Sequence, residues 1–265
     1  MKERLDVLLV NKGFFTSREK AKASIMAGII FVDNERVDKA GTMIDCGSDI
    51  FVKENLCPYV SRGGLKLEKA IKTFGFSLKD AVCADMGAST GGFTDCMLKS
   101  GAKKVYAIDV GYGQLDYKLR IDDRVVNIEK TNIRYMDTEL IKEPVDFISI
   151  DVSFISLDLI FPVAAKVLSD TGKVVALVKP QFEAGREQVG KKGIVRDPDV
   201  HESVIKKAAE FGEKVGLHPC GLTFSPVTGA KGNIEYLMML SRGNTAADME
   251  TLIKDTVELS HKELT

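Results

Sequence analysis

The stretch Asp85-Met-Gly-Ala-Ser-Thr-Gly-Gly-Phe-Thr-Asp95 decides the fold of this 265-residue chain. It follows the apolar segment 81–84 and leads into a segment whose apolar residues recur at helical spacing. A strand, a glycine-rich turn and a helix form the first unit of a nucleotide-binding α/β sheet. Gly87 can adopt a positive φ in such a turn, and Gly91 and Gly92 let the helix begin without a Cβ beside the ligand.

The spacing of this turn, acid-x-Gly-x-x-x-Gly, differs from the G-x-G-x-x-G of dinucleotide-binding enzymes. It resembles motif I of S-adenosylmethionine-dependent methyltransferases, whose ligand has no pyrophosphate group. The segment Lys104-Val-Tyr-Ala-Ile-Asp109 reads as the second strand and ends in an acid. An acid about 20 residues beyond the turn suits the diol of a ribose. Together these features favour an adenosine-type ligand over a purely structural turn or another cofactor.

The composition argues against several other classes of protein. The net charge of −1 gives no global preference for nucleic acid, so such a site must be a local patch. The five cysteines are scattered without a C-x-x-C pair, which favours reduced thiols over disulfides or a metal site. None of the three histidines lies beside a plausible nucleophile, and no apolar run suits a signal peptide or a membrane span. We therefore expect a cytoplasmic protein without a metal ion.

Residues 1–58 predict a small α+β domain, and residues 59–265 predict a larger one. In the first, Thr16-Ser17 caps the second of two short amphipathic helices and Gly28 ends it. The boundary is expected over Lys53–Pro58, since the proline stops regular structure. A hairpin-like segment and a short strand complete the small domain, at residues 29–37 and 49–52.

The small domain resembles a known RNA-binding module. Its pattern of Arg4-Leu-Asp-x-x-Leu-Val10, Thr16-Ser-Arg-x-x-Ala21, Ile25-x-x-Gly28 and Val32 is similar to the S4-like domain, whose helices present basic side chains to structured RNA. Because the region carries as many acidic as basic residues, the prediction rests on the motif and not on charge. Solvated helix charges are the alternative interpretation. The residues expected to contact RNA here and just after the boundary are Arg4, Arg18, Lys20, Lys22 and Arg62.

From residue 59 onward strands and helices alternate, which predicts an α/β fold. Ser61 is expected to cap a helix that Gly75 ends, and Asp197-Pro198 opens a later helix over 200–215. A polar helix over 246–262 follows. Five buried parallel strands and a terminal pair match the Rossmann-like seven-stranded sheet of class I methyltransferases, in which one strand is antiparallel. The strands are expected at residues 81–86, 104–109, 124–128, 145–151, 173–179, 217–224 and 233–241.

Four charged residues are candidates for catalysis. Asp151 and Lys179 each end an apolar strand, so both should project at the carboxyl edge, where open α/β sheets place their sites. Glu235 opens the last strand, and Lys66 lies in the helix before the sheet. Taken singly, each is more commonly a solvated strand end. A Lys-Asp-Lys-Glu set in this order resembles the tetrad of FtsJ-type 2′-O-ribose methyltransferases.

This resemblance implies a role for each member of the tetrad. A ribose 2′-hydroxyl is a poor nucleophile, so its proton must be removed during attack on the methyl group. Lys179 in its neutral form is the best candidate for the base. Asp151 and Glu235 would orient the lysines, and Lys66 would hold the ribose hydroxyl or a phosphate. Alternatively, a charged Lys179 positions the hydroxyl while the proton leaves late, and the sequence leaves both versions open.

Three further motifs extend the resemblance over nearly the whole chain: Tyr59-Val-Ser-Arg-Gly-Gly-x-Lys66, Asp151-Val-Ser-Phe-Ile-Ser156 and Val178-Lys-Pro-Gln-Phe-Glu183. With the S4-like amino terminus, they identify the chain as a member of the TlyA family. Its members are described as hemolysin A and as ribosomal RNA 2′-O-methyltransferases acting on cytidine. The resemblance implies S-adenosylmethionine as cofactor, ribosomal RNA or subunits as partner, and no obligate protein partner. The implied cofactor contacts are Asp85, Gly87, Ser89, Gly91, Gly92, Phe93, Asp109 and, more weakly, Asn132.

The segment Gly185–Arg196 combines glycines with basic residues directly after the catalytic strand. We expect an RNA-contacting lid that uses Arg186, Lys191 and Lys192, with a solvated loop as the alternative.

Two other functions also stay open for the chain. One is an RNA-binding or assembly factor with an inactive methyltransferase fold. The other is a membrane-active hemolysin, although the mixed polar face of the last helix favours packing over membrane insertion.

Overall fold

The chain divides into two units, Met1–Pro58 and Tyr59–Thr265. A computed structural model describes residues 2–26, 28–52, 57–229, 231–243 and 248–264. Most of the expected boundary segment, and the first two residues of the expected last helix, therefore lie outside the described residues.

Two helices and several very short strands build the first unit. The predicted helices are confirmed, and Ser17 Oγ accepts a hydrogen bond from the Lys20 amide at 3.3 Å, as a helix cap does. The predicted hairpin and the strand after it form one three-stranded antiparallel sheet. The sequence did not predict a second, two-stranded sheet, because its strands are too short to show alternation. The elements are β1 (Lys2–Arg4), α1 (Leu5–Asn11), α2 (Arg18–Met26), β2 (Ile30–Val32), β3 (Glu35–Arg36), β4 (Met43–Asp45) and β5 (Ile50–Val52).

The second unit alternates strands and helices as predicted. Its elements are α3 (Gly63–Phe74), β6 (Val82–Met86), α4 (Gly92–Lys99), β7 (Lys104–Ile108), α5 (Tyr117–Arg120), β8 (Val125–Ile128), β9 (Val145–Ile150), α6 (Phe161–Val167), β10 (Leu168–Val178), α7 (Pro180–Glu183), α8 (Pro198–Glu213), β11 (His218–Phe224), β12 (Tyr236–Ser241) and α9 (Met249–Leu264).

Within the described part of this unit, seven strands form one sheet in the order β11-β12-β10-β9-β6-β7-β8. The strands from β10 to β8 run parallel, and β12 is antiparallel to both of its neighbours. The predicted Rossmann-like seven-stranded architecture is confirmed. The chain runs outward from β6 through β7 to β8 and returns to the other side of β6 through β9 and β10. This reversal creates a switch point between β6 and β9, where open α/β sheets bind ligands beyond the carboxyl ends of their strands.

Two predicted details are wrong. The strand expected over 173–179 begins earlier, at Leu168, because Leu168 already pairs with Val145 before an irregular stretch. Ser61 is not the N-cap residue of α3, because Arg62 occupies that position and caps the helix with no side-chain bond to a described residue. Ser61 Oγ instead packs against Gly92 at the start of α4, where an added Cβ would collide with it.

A buried histidine links the last two helices to the sheet. His201 Nδ1 lies 2.7 Å from the Tyr236 hydroxyl, and its Nε2 lies 3.1 Å from the Val195 carbonyl oxygen. His261 Nε2 lies 3.2 Å from the same Nδ1, and Ser260 Oγ lies 3.0 Å from the tyrosine hydroxyl. Burial lowers the pKa of His201 to about 4. The folded state therefore holds this ring neutral over a range in which the unfolded chain protonates it.

We expect His201 to make the fold less stable in mild acid. Below its unfolded pKa of about 6.5, the unfolded state binds a proton that the folded state refuses until about pH 4. Between pH 7 and pH 5, the free energy of unfolding should fall by about 2 kcal/mol more in the wild type than in His201→Gln. Urea unfolding at both pH values measures this difference.

Both proteins contain Asp85, so the difference between the wild type and His201→Gln does not include its contribution. Burial raises the pKa of Asp85 to about 6, so this acid makes the fold more stable as the pH falls, whereas His201 makes it less stable. Equal losses in the wild type and the variant would show that His201 does not stay neutral in the folded state.

The glycine-rich turn after β6 requires a glycine at position 87. Gly87 has φ +95°, and an added Cβ would collide with the carbonyl group of Asp151 at the end of β9. The two strand ends on either side of the switch point can therefore approach closely only because position 87 has no side chain.

Gly87→Ala should accordingly destabilise the fold more than alanine at a glycine of similar conformation in open space. Gly216, with φ +74° and no atom near an added Cβ among the described residues, is the matched control. Gly216→Ala should cost about 1–2 kcal/mol for the left-handed backbone, and Gly87→Ala a further 1–3 kcal/mol, roughly, for the collision. Equal losses in denaturant unfolding would contradict the close approach of the two loops.

Candidate active site

A cavity of about 730 Å³ lies at the carboxyl ends of the central strands. Five segments supply most of its lining. They are Ser61–Lys66 at the start of α3, Gly87–Phe93 after β6, Asp151–Phe154 after β9, Lys179–Phe182 after β10, and Val227–Glu235 before β12, each through some of its residues. Because the sheet order brings β6, β9 and β10 side by side, residues far apart in sequence meet at this one edge.

The glycine-rich turn forms one wall of the cavity. Of the residues expected to contact a cofactor, Gly87, Ser89, Gly92 and Phe93 line it. Asp85 lies beneath the turn and is fully buried. Its carboxylate accepts hydrogen bonds from the backbone amide and hydroxyl of Thr94, at 2.9 and 2.7 Å, and from Ser149 Oγ at 2.9 Å. Asp85 therefore ties the start of α4 to β6 and β9.

The other three expected cofactor residues are not among those that line the cavity. The Asp109 carboxylate accepts hydrogen bonds from the backbone amides of Ser89, at 2.8 Å, and Gly111, at 2.7 Å. Gly91 has φ +92°, and an added Cβ there would collide with the Leu119 side chain. Asn132 Oδ1 accepts a hydrogen bond from the Arg134 amide and so begins a short 3₁₀ turn. In this structure these residues shape the loops beside the cavity.

All four predicted catalytic residues line the cavity and form a chain of alternating charge. Glu235 Oε2 lies 2.7 Å from Lys66 Nζ, which lies 3.9 Å from Asp151 Oδ2. Asp151 Oδ1 lies 2.5 Å from Lys179 Nζ. The side chains of Glu235 and Lys179 are only 4% and 9% exposed. Because so little water reaches these charges, each depends on its neighbours in the chain for stabilisation.

The sequence did not single out several residues beside this charge chain. Ser153 Oγ accepts a hydrogen bond from Lys179 Nζ at 2.9 Å. Phe154 has φ +64° and is 90% exposed at the cavity, with its ring 4.8 Å from that of Phe182. Gln181 lines the cavity between Lys179 and Phe182. The motifs contain all four residues, but an apolar residue after a strand gives no sign that it will be exposed.

The expected lid segment borders the cavity only in part. Val189 and Gly193 line the cavity, whereas Arg186, Lys191 and Lys192 are exposed and do not. Arg62, at the start of α3, does line it. The structure thus places one expected RNA contact at the cavity and three on the surface of the adjoining segment.

In the first unit, a buried acid organises two of the expected RNA contacts. The Asp6 carboxylate, fully buried, accepts hydrogen bonds from Arg4 Nε at 3.0 Å and from an Arg18 guanidinium nitrogen at 2.8 Å. The hydrogen bonds from Arg4 lower the pKa of Asp6 to about 2. Lys22 follows Arg18 by one helical turn on the same face of α2, whereas Lys20 lies on the opposite face. The structure therefore does not bring all four basic residues together.

Two further properties concern the described residues as a whole. They contain no group of three or more histidine, cysteine or acidic side chains placed to hold a metal ion. No helix among them is long and apolar enough to cross a membrane.

Comparison with known proteins agrees with both units. An FtsJ-like methyltransferase model matches residues 59–242, and an S4 domain model matches residues 3–50. The Bacillus subtilis protein YqxC is 54% identical over 99% of this chain and 95% of its own length. The 16S/23S rRNA (cytidine-2′-O)-methyltransferase TlyA of Mycobacterium tuberculosis is 38% identical over 98% of this chain and 97% of its own length.

A solved structure from Streptococcus thermophilus is 51% identical, covers 99% of this chain and 96% of its own, and superposes with a TM-score of 0.80. Identity at this level over nearly the full length of each protein shows common family membership. The chain therefore belongs to the TlyA family, in which an S4 domain precedes an FtsJ-like methyltransferase domain.

Proposed function

We propose that this protein is an S-adenosylmethionine-dependent methyltransferase that modifies the 2′-hydroxyl of a cytidine in ribosomal RNA. The observation that carries the proposal is the charge chain Glu235–Lys66–Asp151–Lys179, which shares one cavity with the glycine-rich turn at the switch point of the sheet. The name of the Mycobacterium tuberculosis relative supports ribosomal RNA and cytidine as the substrate. A ribosomal substrate implies a cytoplasmic enzyme.

The cavity fits the proposed cofactor. Its volume lies within the range of small-molecule sites, and the turn residues Gly87, Ser89 and Gly92 line it. Phe93 offers an apolar surface, and the acid Asp109 lies directly behind Ser89. We assign these residues to holding S-adenosylmethionine and Asp85 to supporting the turn. When bound, S-adenosylmethionine supplies an electrophilic methyl group, and the electrons of its carbon–sulfur bond pass to sulfur.

The charge chain positions the attacking hydroxyl. Lys179 Nζ is held from two sides, by Asp151 Oδ1 and Ser153 Oγ, and can donate a further hydrogen bond to a ribose oxygen. Lys66 is held in the same way by Glu235 and can bind the neighbouring ribose oxygen or a phosphate. Fixed donors of this kind orient a nucleophile without reorganising during the reaction.

The geometry supports a positioning role for Lys179. Its contact with Asp151 is an ion pair, and an ammonium group has no lone pair with which to accept a proton. As the hydroxyl oxygen bonds to the methyl carbon, it becomes strongly acidic and releases its proton. The Asp151 carboxylate, beside Lys179, is the acceptor that we propose.

The aromatic pair beside the charge chain suits an extruded nucleotide. A ribose within a helix cannot reach a charge chain at the bottom of a cavity, so the target nucleotide must leave its stack. Single-stranded RNA bases commonly stack on aromatic side chains. The exposed ring of Phe154, supported by Phe182, offers such a surface at the cavity.

Basic residues in both units would hold the RNA around the target nucleotide. In the first unit, Arg4 and Arg18 are about half exposed while Asp6 fixes their positions. In the second, Arg62 and the segment that carries Arg186, Lys191 and Lys192 adjoin the cavity. We assign these basic residues to phosphate contacts, together with Lys20 and Lys22 on α2.

We find less support for the two alternative functions, an inactive RNA-binding factor and a membrane-active hemolysin. An inactive RNA-binding factor would have no need of four nearly buried charges arranged around one cavity, because such groups are costly to bury. For a membrane-active protein, the described helices offer none that could span a membrane.

Methyl transfer to ribosomal subunits tests the proposal. With labelled S-adenosylmethionine and unmodified subunits, Lys179→Met should lower kcat/KM at least about 100-fold, since a positioned polar group is lost at the reacting oxygen. Lys72→Met is the matched control, because Lys72 is 72% exposed and lies on α3 away from the cavity. Label transferred equally by the wild type and Lys179→Met would remove the catalytic assignment. No label with any subunit, although the cofactor binds, would favour the inactive RNA-binding factor.

The basic residues between α7 and α8 should contribute to the salt dependence of RNA binding. Replacing Arg186, Lys191 and Lys192 with Gln should weaken binding to ribosomal RNA and reduce the slope of log K against log salt by about 2. The control replaces three exposed lysines at the opposite edge of the sheet, Lys103, Lys142 and Lys166. If both triple variants keep the wild-type slope, the segment is a solvated loop.

A further inference from the structure

The exposed tyrosines of this chain are concentrated in one region. Three of the six tyrosines are between 71% and 72% exposed, whereas the other three are buried or half-buried. The exposed ones are Tyr112, Tyr117 and Tyr135. All three lie in the two segments that follow β7 and β8, residues 109–118 and 129–135, which we call the tyrosine platform. A group of exposed aromatic rings in one region commonly marks a binding surface.

Backbone hydrogen bonds join the two segments of the platform. The Lys130 amide donates to the Gly111 carbonyl and the Thr131 amide donates to the Asp109 carbonyl, each at 2.9 Å. Lys130 has φ +56°, a left-handed conformation that is costly for a residue with a side chain and is often found at functional sites. Its Nζ lies 4.3 Å from the centroid of the Tyr112 ring. The fold therefore fixes a cation beside an aromatic ring that stays open to a ligand.

The charges of the platform favour an anionic ligand. Each of its three acids is half-buried and accepts a hydrogen bond from a backbone amide of the platform or of the glycine-rich turn. Each of its three bases is exposed. The acids are Asp109, Asp116 and Glu129, and the bases are Lys118, Lys130 and Arg134. Exposed aromatic rings among cations are typical of surfaces that bind single-stranded nucleic acid, since bases stack on the rings and phosphates meet the cations.

The platform adjoins the cavity through the glycine-rich turn. The Asp116 amide donates to the Thr90 carbonyl at 3.2 Å, and Ser89 Oγ donates to Gln114 Oε1 at 3.3 Å. Ser89 and Thr90 both line the cavity. The platform follows β7 and Phe154 follows β9, and these strands are two strand spacings, about 10 Å, apart because only β6 lies between them. RNA whose target nucleotide lies at Phe154 can therefore reach the platform with a neighbouring nucleotide.

We propose that the tyrosine platform binds a single-stranded nucleotide next to the modified one, whose base stacks on Tyr112 and whose phosphate contacts Lys130. This inference rests on the proposed function, which makes RNA the substrate. The basic segment between α7 and α8 follows β10, on the other side of the switch point from the platform. The two surfaces together would hold the RNA on both sides of the cavity.

Binding of a labelled single-stranded RNA of about 12 nucleotides, within the usual range of site sizes, tests the proposal. Tyr112→Ala should weaken binding about 5- to 100-fold, because the stacking of one base is lost. Tyr112→Phe keeps the ring and should bind like the wild type. Lys130→Gln should reduce the slope of log K against log salt by about 0.7, the value for one phosphate contact on a single strand.

Leu259→Ala and Lys166→Gln are the matched controls. Leu259, on α9, is an apolar residue that is 47% exposed, and Lys166, on α6, is an exposed lysine. Neither is among the described residues that line the cavity. Both variants should keep the wild-type affinity and salt slope. Urea unfolding of each variant confirms that it is folded.

Several outcomes would overturn the inference. One is wild-type affinity for the RNA in Tyr112→Ala, and another is a loss of affinity that Tyr112→Phe shares, since the ring would then not be the binding element. Weaker binding of S-adenosylmethionine to Tyr112→Ala would assign the ring to the cofactor.

Binding to the assembled ribosomal subunit separates RNA from a protein partner. If Tyr112→Ala binds the subunit more weakly but the free RNA like the wild type, the platform contacts a ribosomal protein and the inference is wrong. A wild type that binds RNA through Tyr112 but transfers no methyl group would refute the proposed function alone.

Discussion

Four charged residues that lie far apart in the sequence stabilise one another at the cavity of the second unit. Glu235, Lys66, Asp151 and Lys179 alternate in sign, lie mostly out of water and are contributed by the ends of β12, β9 and β10 and by α3. Removal of Lys66 would leave the poorly solvated charge of Glu235 without its ion-pair partner in this chain, and removal of Asp151 would do the same to Lys179. Such a loss is more costly than the net value of the pair. The sheet order must therefore hold these elements in register, and the same register places the cavity beside the glycine-rich turn.

Buried polar groups beneath the cavity hold the loops that carry this charge chain. Asp85 connects the start of α4, through Thr94, to Ser149 in β9. Glu183 in α7 accepts hydrogen bonds from Ser156 Oγ at 2.7 Å and from the Leu157 amide at 2.8 Å. The loop after β9 carries Asp151, Ser153 and Phe154. These two hydrogen bonds therefore hold it to α7, the helix after β10. Burial raises the pKa of Glu183, as it does that of Asp85, so both acids contribute to the architecture at a cost in desolvation.

The sequence predicts the architecture well because strands in a parallel sheet are continuous apolar runs with clear ends. It also predicts that Asp151 and Lys179 share an edge, since both end such runs, and the structure places them 2.5 Å apart. Contacts that depend on side-chain direction could not be predicted. Two examples follow from loop geometry: Asp109 accepts hydrogen bonds from the backbone amides of Ser89 and Gly111, and the ring of Phe154 is exposed. The sequence likewise could not predict that Arg62 lies at the N-cap of α3 while Ser61 Oγ packs against Gly92.

The central claim is that this cavity delivers a methyl group to a sugar oxygen. The most direct test is to digest RNA from methylated subunits to nucleosides and to locate the added methyl group by fragmentation mass spectrometry. We expect the methyl group to stay with the ribose fragment, as 2′-O-methylcytidine, and the base fragment to be unchanged. A methyl group on the base fragment would contradict ribose methylation. The charge chain of lysines and carboxylates would then have been assigned to the wrong reaction.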